Sequence, residues 1–279
     1  MKIQEIIDRI IEKTGIQIPS DQTCDQVMCG DTSQEATKIV TTFMATVDVI
    51  QKAISIGANF IITHEPTWYT GHDTTEWLEN DEVYVAKKKL LEENHITVWR
   101  FHDHMHMAAD EDGIYRGFER KMNWQNYRIP YNGAQPEFGG SYEIPETTLK
   151  SLADEFSRKI GMNVIQIVGK EDMPVRRVGV YVGGGSLGLG TEERPMQHMR
   201  KNNLDVAVCG DITEWTLSAY INDAKAFGIN RAMLVLGHER SEEMGMEYLG
   251  EWLKDITGDT EIVFIDAKEP FSYFIYPAK

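Results

Sequence analysis

The sequence predicts an α/β fold of two similar lobes, and three observations carry that prediction. Short apolar runs rich in β-branched residues alternate with stretches of helical periodicity, as in strands joined by crossover helices. Residues 123–145, rich in Pro and Gly, interrupt the alternation once and separate an N-terminal lobe of residues 1–125 from a C-terminal lobe of residues 126–279. A short pattern also recurs: Ala53-(x)3-Gly57-x-Asn59, a strand and His64-Glu65 are echoed by Ala224-(x)3-Gly228-x-Asn230, a strand and His238-Glu239.

Taken in order, Ile3, Ile6, Ile7, Ile10 and Ile11 give the stripe of an amphipathic helix. Residues 38–47 (KIVTTFMATV) read as a strand, 48–56 as a helix ended by Gly57, and 59–63 (NFIIT) as a buried strand running into His64-Glu65-Pro66. A helix over 81–94, a strand over 96–101 and a helix over 114–122 complete the first lobe. The second restarts with a helix over 146–160, strands over 164–168 and 177–182, a Gly-rich loop and a strand over 205–209. It continues with a helix over 214–227, a strand over 231–236, a helix over 242–256 and a strand over 261–265.

Composition narrows the function. Of 279 residues, 42% are hydrophobic and 26% charged, as expected of a folded domain, and no apolar run is long enough to cross a membrane. The net charge of −16 disfavours a nucleic-acid partner, which calls for a basic surface. Cys24, Cys29 and Cys209 lack a zinc-knuckle spacing and read as reduced thiols in a cytoplasmic protein.

The chemistry concentrates at strand ends. His64, His102, His104, His106 and His238, five of the eight histidines, lie there with Glu65, Asp103, Asp110, Glu239 and Glu242. Imidazole with carboxylate is the donor set of zinc, iron, manganese, cobalt and nickel sites. An extended backbone would point His102, His104 and His106 the same way, whereas a tight turn would separate them. His238 and Glu242 are four apart at a helix start and share a face. Asp211 is either an N-cap or a group orienting a ligand histidine. Residues 183–188 (GGGSLG) satisfy both the dinucleotide fingerprint and, through Ser186, the nucleophile-elbow motif. The further glycines Gly188 and Gly190 oppose the helix both motifs need, so a tight glycine turn is the leading reading.

These segments together resemble a known family, the NGG-interacting-factor-three-like proteins, also called GTP cyclohydrolase I type 2 homologues. Residues 57–66 (GANFIITHEP) are similar to the family's G-A-N-x-I-I-T-H-H-P, and residues 101–108 (FHDHMHMA) lie where the family has H-T-N-x-D-x-A. Gly210-Asp211, Gly237-His238 through Glu242, Glu269-Pro270-Phe271 and the glycine-turn strand 178–186 are also similar to family segments, so the likeness runs from about Gly30 to Phe271. It implies two similar α/β lobes packed around a central dinuclear metal site with ligands at His64, Glu65, His102, His106, His238 and Glu242. It also implies assembly into a hexamer. Two positions depart from the family: Glu65 replaces a histidine, and His106 replaces an aspartate able to bridge two metals. Glu65 is the candidate to take over bridging, and His104 is an extra candidate ligand.

The expected protein binds two divalent metal ions (Zn, Fe, Mn, Co or Ni) and acts as a metal-dependent hydrolase of a small molecule. In that reading a metal-acidified water attacks the substrate, with Glu65, Glu242 or Asp103 moving the proton. The alternative is a non-catalytic, ring-forming metal-binding or regulatory protein.

Overall fold

The computed structural model describes residues 1–131 and 138–274. It is a mixed α/β protein with two five-stranded sheets. The chain divides into two compact units. Unit 1 comprises Met1–Gly117 and Glu243–Ala267; unit 2 comprises Phe118–Glu242 and the chain from Lys268 onward.

Unit 1 opens with α1 (Ile3–Thr14), whose isoleucines at 3, 6, 7 and 10 are buried and whose end is a left-handed Gly15. It continues with β1 (Val27–Cys29), β2 (Lys38–Thr42), α2 (Val47–Ser55), β3 (Phe60–Thr63), α3 (Glu82–Glu93) and β4 (Thr97–Arg100). After β4 come a single-turn helix, α4 (Asp103–Met107), and the start of α5 (Gly113–Met122). β3 and β4 are four-residue strands buried throughout, which is why they read as unbroken apolar runs. The strand expected to reach residue 47 stops at Thr42, because the Thr46 hydroxyl accepts from Val49 N–H and caps α2.

Unit 2 carries β5 (Gly140–Thr148), α6 (Leu149–Ile160), β6 (Gln166–Val168), β7 (Pro174–Tyr181), a glycine-rich 3-10 turn (Gly183–Gly190) and α7 (Arg194–Lys201). β8 (Val206–Cys209), a wide turn, α8 (Ala219–Ala226), β9 (Ala232–Val235) and α9 (His238–Trp252) follow. β5 lies largely in the segment read as an irregular junction. It is an edge strand paired antiparallel to β7, and its register is irregular between Glu143 and Thr147, around Pro145, which has no N–H to give. The last strand, β10 (Glu261–Phe264), expected to close the second lobe, pairs parallel to β2 in the first sheet.

The two sheets share a plan. The run α1-β1-β2-α2-β3-α3-β4 has the same order as α6-β6-β7-α7-β8-α8-β9. In space β1-β4-β3-β2 matches β6-β9-β8-β7, each with three parallel strands and an antiparallel edge. The fifth strands differ: β10 is parallel beside β2, β5 antiparallel beside β7. By this plan β4 corresponds to β9 and β3 to β8, so His102 is the counterpart of His238, and His64 of the Asp211 region. The repeat seen in the sequence pairs His64 with His238 instead, one strand out. It reflects a shared helix-to-strand turn, in which Gly57 and Gly228 both take left-handed φ (74° and 73°). Among the described residues no helix is long and apolar enough to cross a membrane.

Candidate metal centre

In unit 1 the parallel register aligns Thr63 with Arg100, so His64 and His102 leave adjacent strands at the same sheet edge. His64 is fully buried and its backbone N–H donates to Phe43 O at 3.0 Å. His102 stands at the head of α4, and His106 N–H donates to His102 O at 3.1 Å, closing one helical turn that puts both rings on one face. The rings of His64, His102 and His106 lie 4.5–5.0 Å apart, centroid to centroid. One nitrogen from each falls within 4.8 Å of the other two.

The same turn removes His104 from the group. An extended segment would have aligned all three histidines; the helix turns His104 inward, where its Nδ1 meets Asp25 Oδ2 at 2.8 Å. Asp25 builds this turn. Its Oδ1 accepts from His102 N–H (2.6 Å) and Asp103 N–H (2.8 Å), and its Oδ2 from His104 N–H (2.9 Å). Asp25 lies 77 residues before His102, and no local sequence signal points to it.

Each ring of the group is aimed by its Nδ1. His64 Nδ1 lies 3.3 Å from Phe101 O, which only accepts, so the Nδ1 proton donates and the lone pair is on Nε2. His102 Nδ1 meets Asp103 Oδ1 at 2.8 Å, and His106 Nδ1 meets Asp112 Oδ2 at 2.9 Å. These carboxylates are anchored in turn. Asp103 Oδ2 accepts from Thr23 Oγ1 and Cys24 N–H, both at 2.9 Å, and Asp112 Oδ1 caps α5 through Ile114 and Tyr115 N–H. The hydrogen bond from His102 holds the Asp103 carboxyl well below its usual range, against the opposing effect of burial. Acceptors that fix the ring and tautomer of a ligand histidine are a regular part of metal sites. Glu65 is held from behind: Arg100 Nη2 donates to Oε2 at 3.3 Å, and Oε1 stands 3.8 Å from His102 Nε2.

Unit 2 has its own group. His238 begins α9, and its Nε2 lies 3.0 Å from Oε2 of the buried Glu242, one turn on. His238 Nδ1 meets Asp211 Oδ2 at 2.9 Å, the orienting arrangement considered for Asp211 from the sequence. Glycines make the space. A Cβ on Gly183 would sit 2.1 Å from Glu242 Oε1 and 2.7 Å from His238 Nε2, and one on Gly210 would strike the backbone of Gly183. Gly183 also has φ +47°, and its N–H donates to Ser241 Oγ at 2.9 Å. The 183–188 motif is therefore a turn built for close approach. Ser186 donates its hydroxyl to the carbonyls of Gly183 and Asp211.

The donors of each group fit a divalent cation: imidazole nitrogens with their tautomers fixed, with the carboxylate of Glu65 beside them in unit 1 and that of Glu242 in unit 2. Cys24 also lies near His102 and Asp103, and burial pushes its thiol up to about 12. His198 is structural: Nδ1 bonds Tyr181 Oη (2.9 Å) and Nε2 lies 3.2 Å from Ser141 Oγ. Sequence reasoning missed Asp25, Asp112 and Arg100, each acting across a turn or from another strand.

The model of the Duf34/NIF3 (NGG1p interacting factor 3) family matches residues 1–270, and the chain belongs to this family. It is 23% identical over 280 residues to a GTP cyclohydrolase 1 type 2 homolog of Clostridium perfringens, covering 98% of this chain and all of that one. A namesake from Buchnera aphidicola is 24% identical over 272 residues, covering 95% and 98%. Among solved structures, a Bacillus cereus protein related to NIF3 aligns with TM-score 0.73 at 15% identity over 99% of both chains. A Staphylococcus aureus hypothetical protein aligns at 0.70 and 20%, over 98% and 99%. These likenesses show the fold.

Proposed function

We propose that this Duf34/NIF3 family member binds two divalent metal ions through His64, Glu65, His102, His106, His238 and Glu242, and hydrolyses a small molecule. The observation that carries the reading is the repeated device on four histidines. His64, His102, His106 and His238 each have Nδ1 against a carbonyl or carboxylate, which leaves Nε2 as the nitrogen available to a metal. Divalent cations bound there supply Lewis acidity, polarising a substrate oxygen and making water acidic near neutral pH. Arg100 fixes the carboxylate of Glu65, and Gly183 leaves room for that of Glu242. Asp103, held ionised by three donors, is an orienting group and a poor proton carrier. The name borne by the relatives, GTP cyclohydrolase 1 type 2 homolog, directs the substrate panel to nucleotides first. Assembly as a hexamer is part of the same proposal and is read by light scattering.

Elemental analysis after reconstitution with zinc, manganese, iron, cobalt or nickel tests the binding. About two ions per chain is the expected result, and His106→Asp should retain them. Less than one ion per chain would sink the dinuclear reading. Metal-dependent turnover of a nucleotide or ester panel supports hydrolysis; full metal occupancy with no turnover favours the regulatory alternative.

A further inference from the structure

Among the described residues, Lys87 is a buried cation without an ion-pair partner. It lies on the buried face of α3 at 5% exposure, and its ammonium donates to Thr67 O at 2.7 Å, near the rings of Trp68 and Tyr69. Among the described residues no carboxylate comes within 4.0 Å of it. Asp73, the charge that acts on it from farther away, already accepts from Trp68 N–H at 2.5 Å and faces Arg100 at 3.6 Å. Burial pushes Lys87 down to about 8. Lysines this deep are ordinarily paired, since an uncompensated ammonium costs several kcal/mol. Here the Thr67 carbonyl and the faces of Trp68 and Tyr69 hold the ammonium in place of an adjacent carboxylate.

Lys87 is part of the wall of an open cleft of roughly 490 Å³, within the range of small-molecule sites. Thr46 and Val47 place the start of α2 on the same wall; the Thr46 hydroxyl takes Val49 N–H, Asp48 lies in the first turn, and the helix dipole is positive there. Thr67, fully buried, contributes a hydroxyl with no hydrogen-bond partner. Tyr69 is held at φ +71°, a strained conformation for a non-glycine residue, and carries a half-exposed ring over the ammonium. Met44 and Pro66 make the cleft apolar elsewhere, and Glu65 lines it too.

We propose that this cleft receives the body of the substrate and that the substrate is a small organic anion. Its carboxylate or phosphate meets the Lys87 ammonium and the start of α2, and its apolar part lies against Met44, Pro66 and Tyr69. The inference rests on the reading of Glu65 as a metal ligand, because Glu65 belongs both to that donor set and to the cleft wall.

Titration calorimetry with benzoate, benzamide and inorganic phosphate, on protein as purified and after chelation, tests it. Benzoate should bind in both preparations and benzamide about tenfold or more weakly, a charge-assisted hydrogen bond being the difference. Lys87→Met should weaken benzoate about tenfold, leave benzamide unchanged and leave metal content intact. Thr67→Val, a milder change read beside a thermal melt, should weaken benzoate severalfold. Phosphate competing with benzoate would assign a phosphate-bearing substrate, and absence of competition a carboxylate. Equal binding of benzoate and benzamide, or a folded Lys87→Met chain with unchanged benzoate affinity, overturns the proposal. A chain that binds metal but no benzoate defeats this inference alone; one that binds benzoate but no metal defeats the metal reading instead.

Discussion

The two units present their candidate ligands by different physical means. In unit 1 two of the three imidazoles, His102 and His106, are fixed by the carboxylates of Asp103 and Asp112, which are themselves tied to Thr23, Cys24 and the first turn of α5, while His64 is fixed by the Phe101 carbonyl. Asp25 adds the cap that makes α4 a helix and turns His104 away. In unit 2 a single imidazole and a glutamate share one helical turn, and space is made by removing side chains at Gly183 and Gly210. Asp211, the orienting acceptor there, is 41% exposed at its side chain, against 24% for Asp112 and 27% for Asp103. The group in unit 1 is scaffolded by carboxylates, that in unit 2 by backbone proximity. Unit 1 should therefore be sensitive to Asp→Asn changes, and unit 2 to the addition of one methyl group.

The largest effect expected is that of Gly183→Ala. The new Cβ would stand 2.1 Å from Glu242 Oε1 at a left-handed φ, so both strain and displacement of a candidate ligand follow. A loss of about 3 kcal/mol in folding stability is anticipated, with reduced metal content. Chemical denaturation and elemental analysis read the two consequences separately. A variant as stable as the parent, with its metal content unchanged, would break the comparison from the unit 2 side.

Next in size is removal of the orienting carboxylates. Asp112→Asn or Asp103→Asn should lower metal affinity by roughly 10- to 100-fold while leaving the fold intact, since acceptors to ligand imidazoles are worth that much. Asp25→Ala should do at least as much, because it frees the first N–H groups of α4 and the buried His104 together. Competition titrations against a chelator measure it. Unchanged affinity in all three variants would mean that the unit 1 histidines are held by packing alone.

This contrast explains what was legible in the sequence. The strand-end placing of His64, His102 and His238 was visible because strand ends follow short buried runs, and α9 announces the i, i+4 pair of His238 and Glu242. Local spacing does not show which of His102, His104 and His106 share a face, because that depends on Asp25, which is brought to α4 by the pairing of β1 with β4. β5 was hidden for a related reason. Its antiparallel pairing with β7 supplies the order that a Pro- and Gly-containing segment does not declare by periodicity. The position of β10 likewise rests on a long-range pairing with β2. Local period and turn chemistry show where helices and strands begin; partners supplied from far along the chain decide which side chains meet.

The smallest effect concerns acid, and it sharpens the same contrast. His198 in unit 2 lies between Tyr181, Phe138 and Ser141, and burial pushes its imidazole down to about 4, with Lys201 adding to the shift. An unfolded histidine titrates near 6.5. Between those values the unfolded chain takes up a proton that the folded one refuses. The stability associated with neutral His198 is therefore complete above about pH 6.5, declines as pH falls, and levels off below about 4. Asp103 in unit 1 behaves differently. Its folded carboxyl is depressed, chiefly by His102, so its contribution persists until pH drops below the ordinary carboxylate value near 3.9. Mild acid should accordingly loosen unit 2 before it strips unit 1 of its ionised supports. Denaturation curves at pH 7, 5.5 and 4.5 for the parent and His198→Gln give the measurement, the variant keeping polar contacts without the titration. A flatter pH slope in the variant is expected, and parallel slopes would show that His198 is not the group that makes unit 2 acid-sensitive.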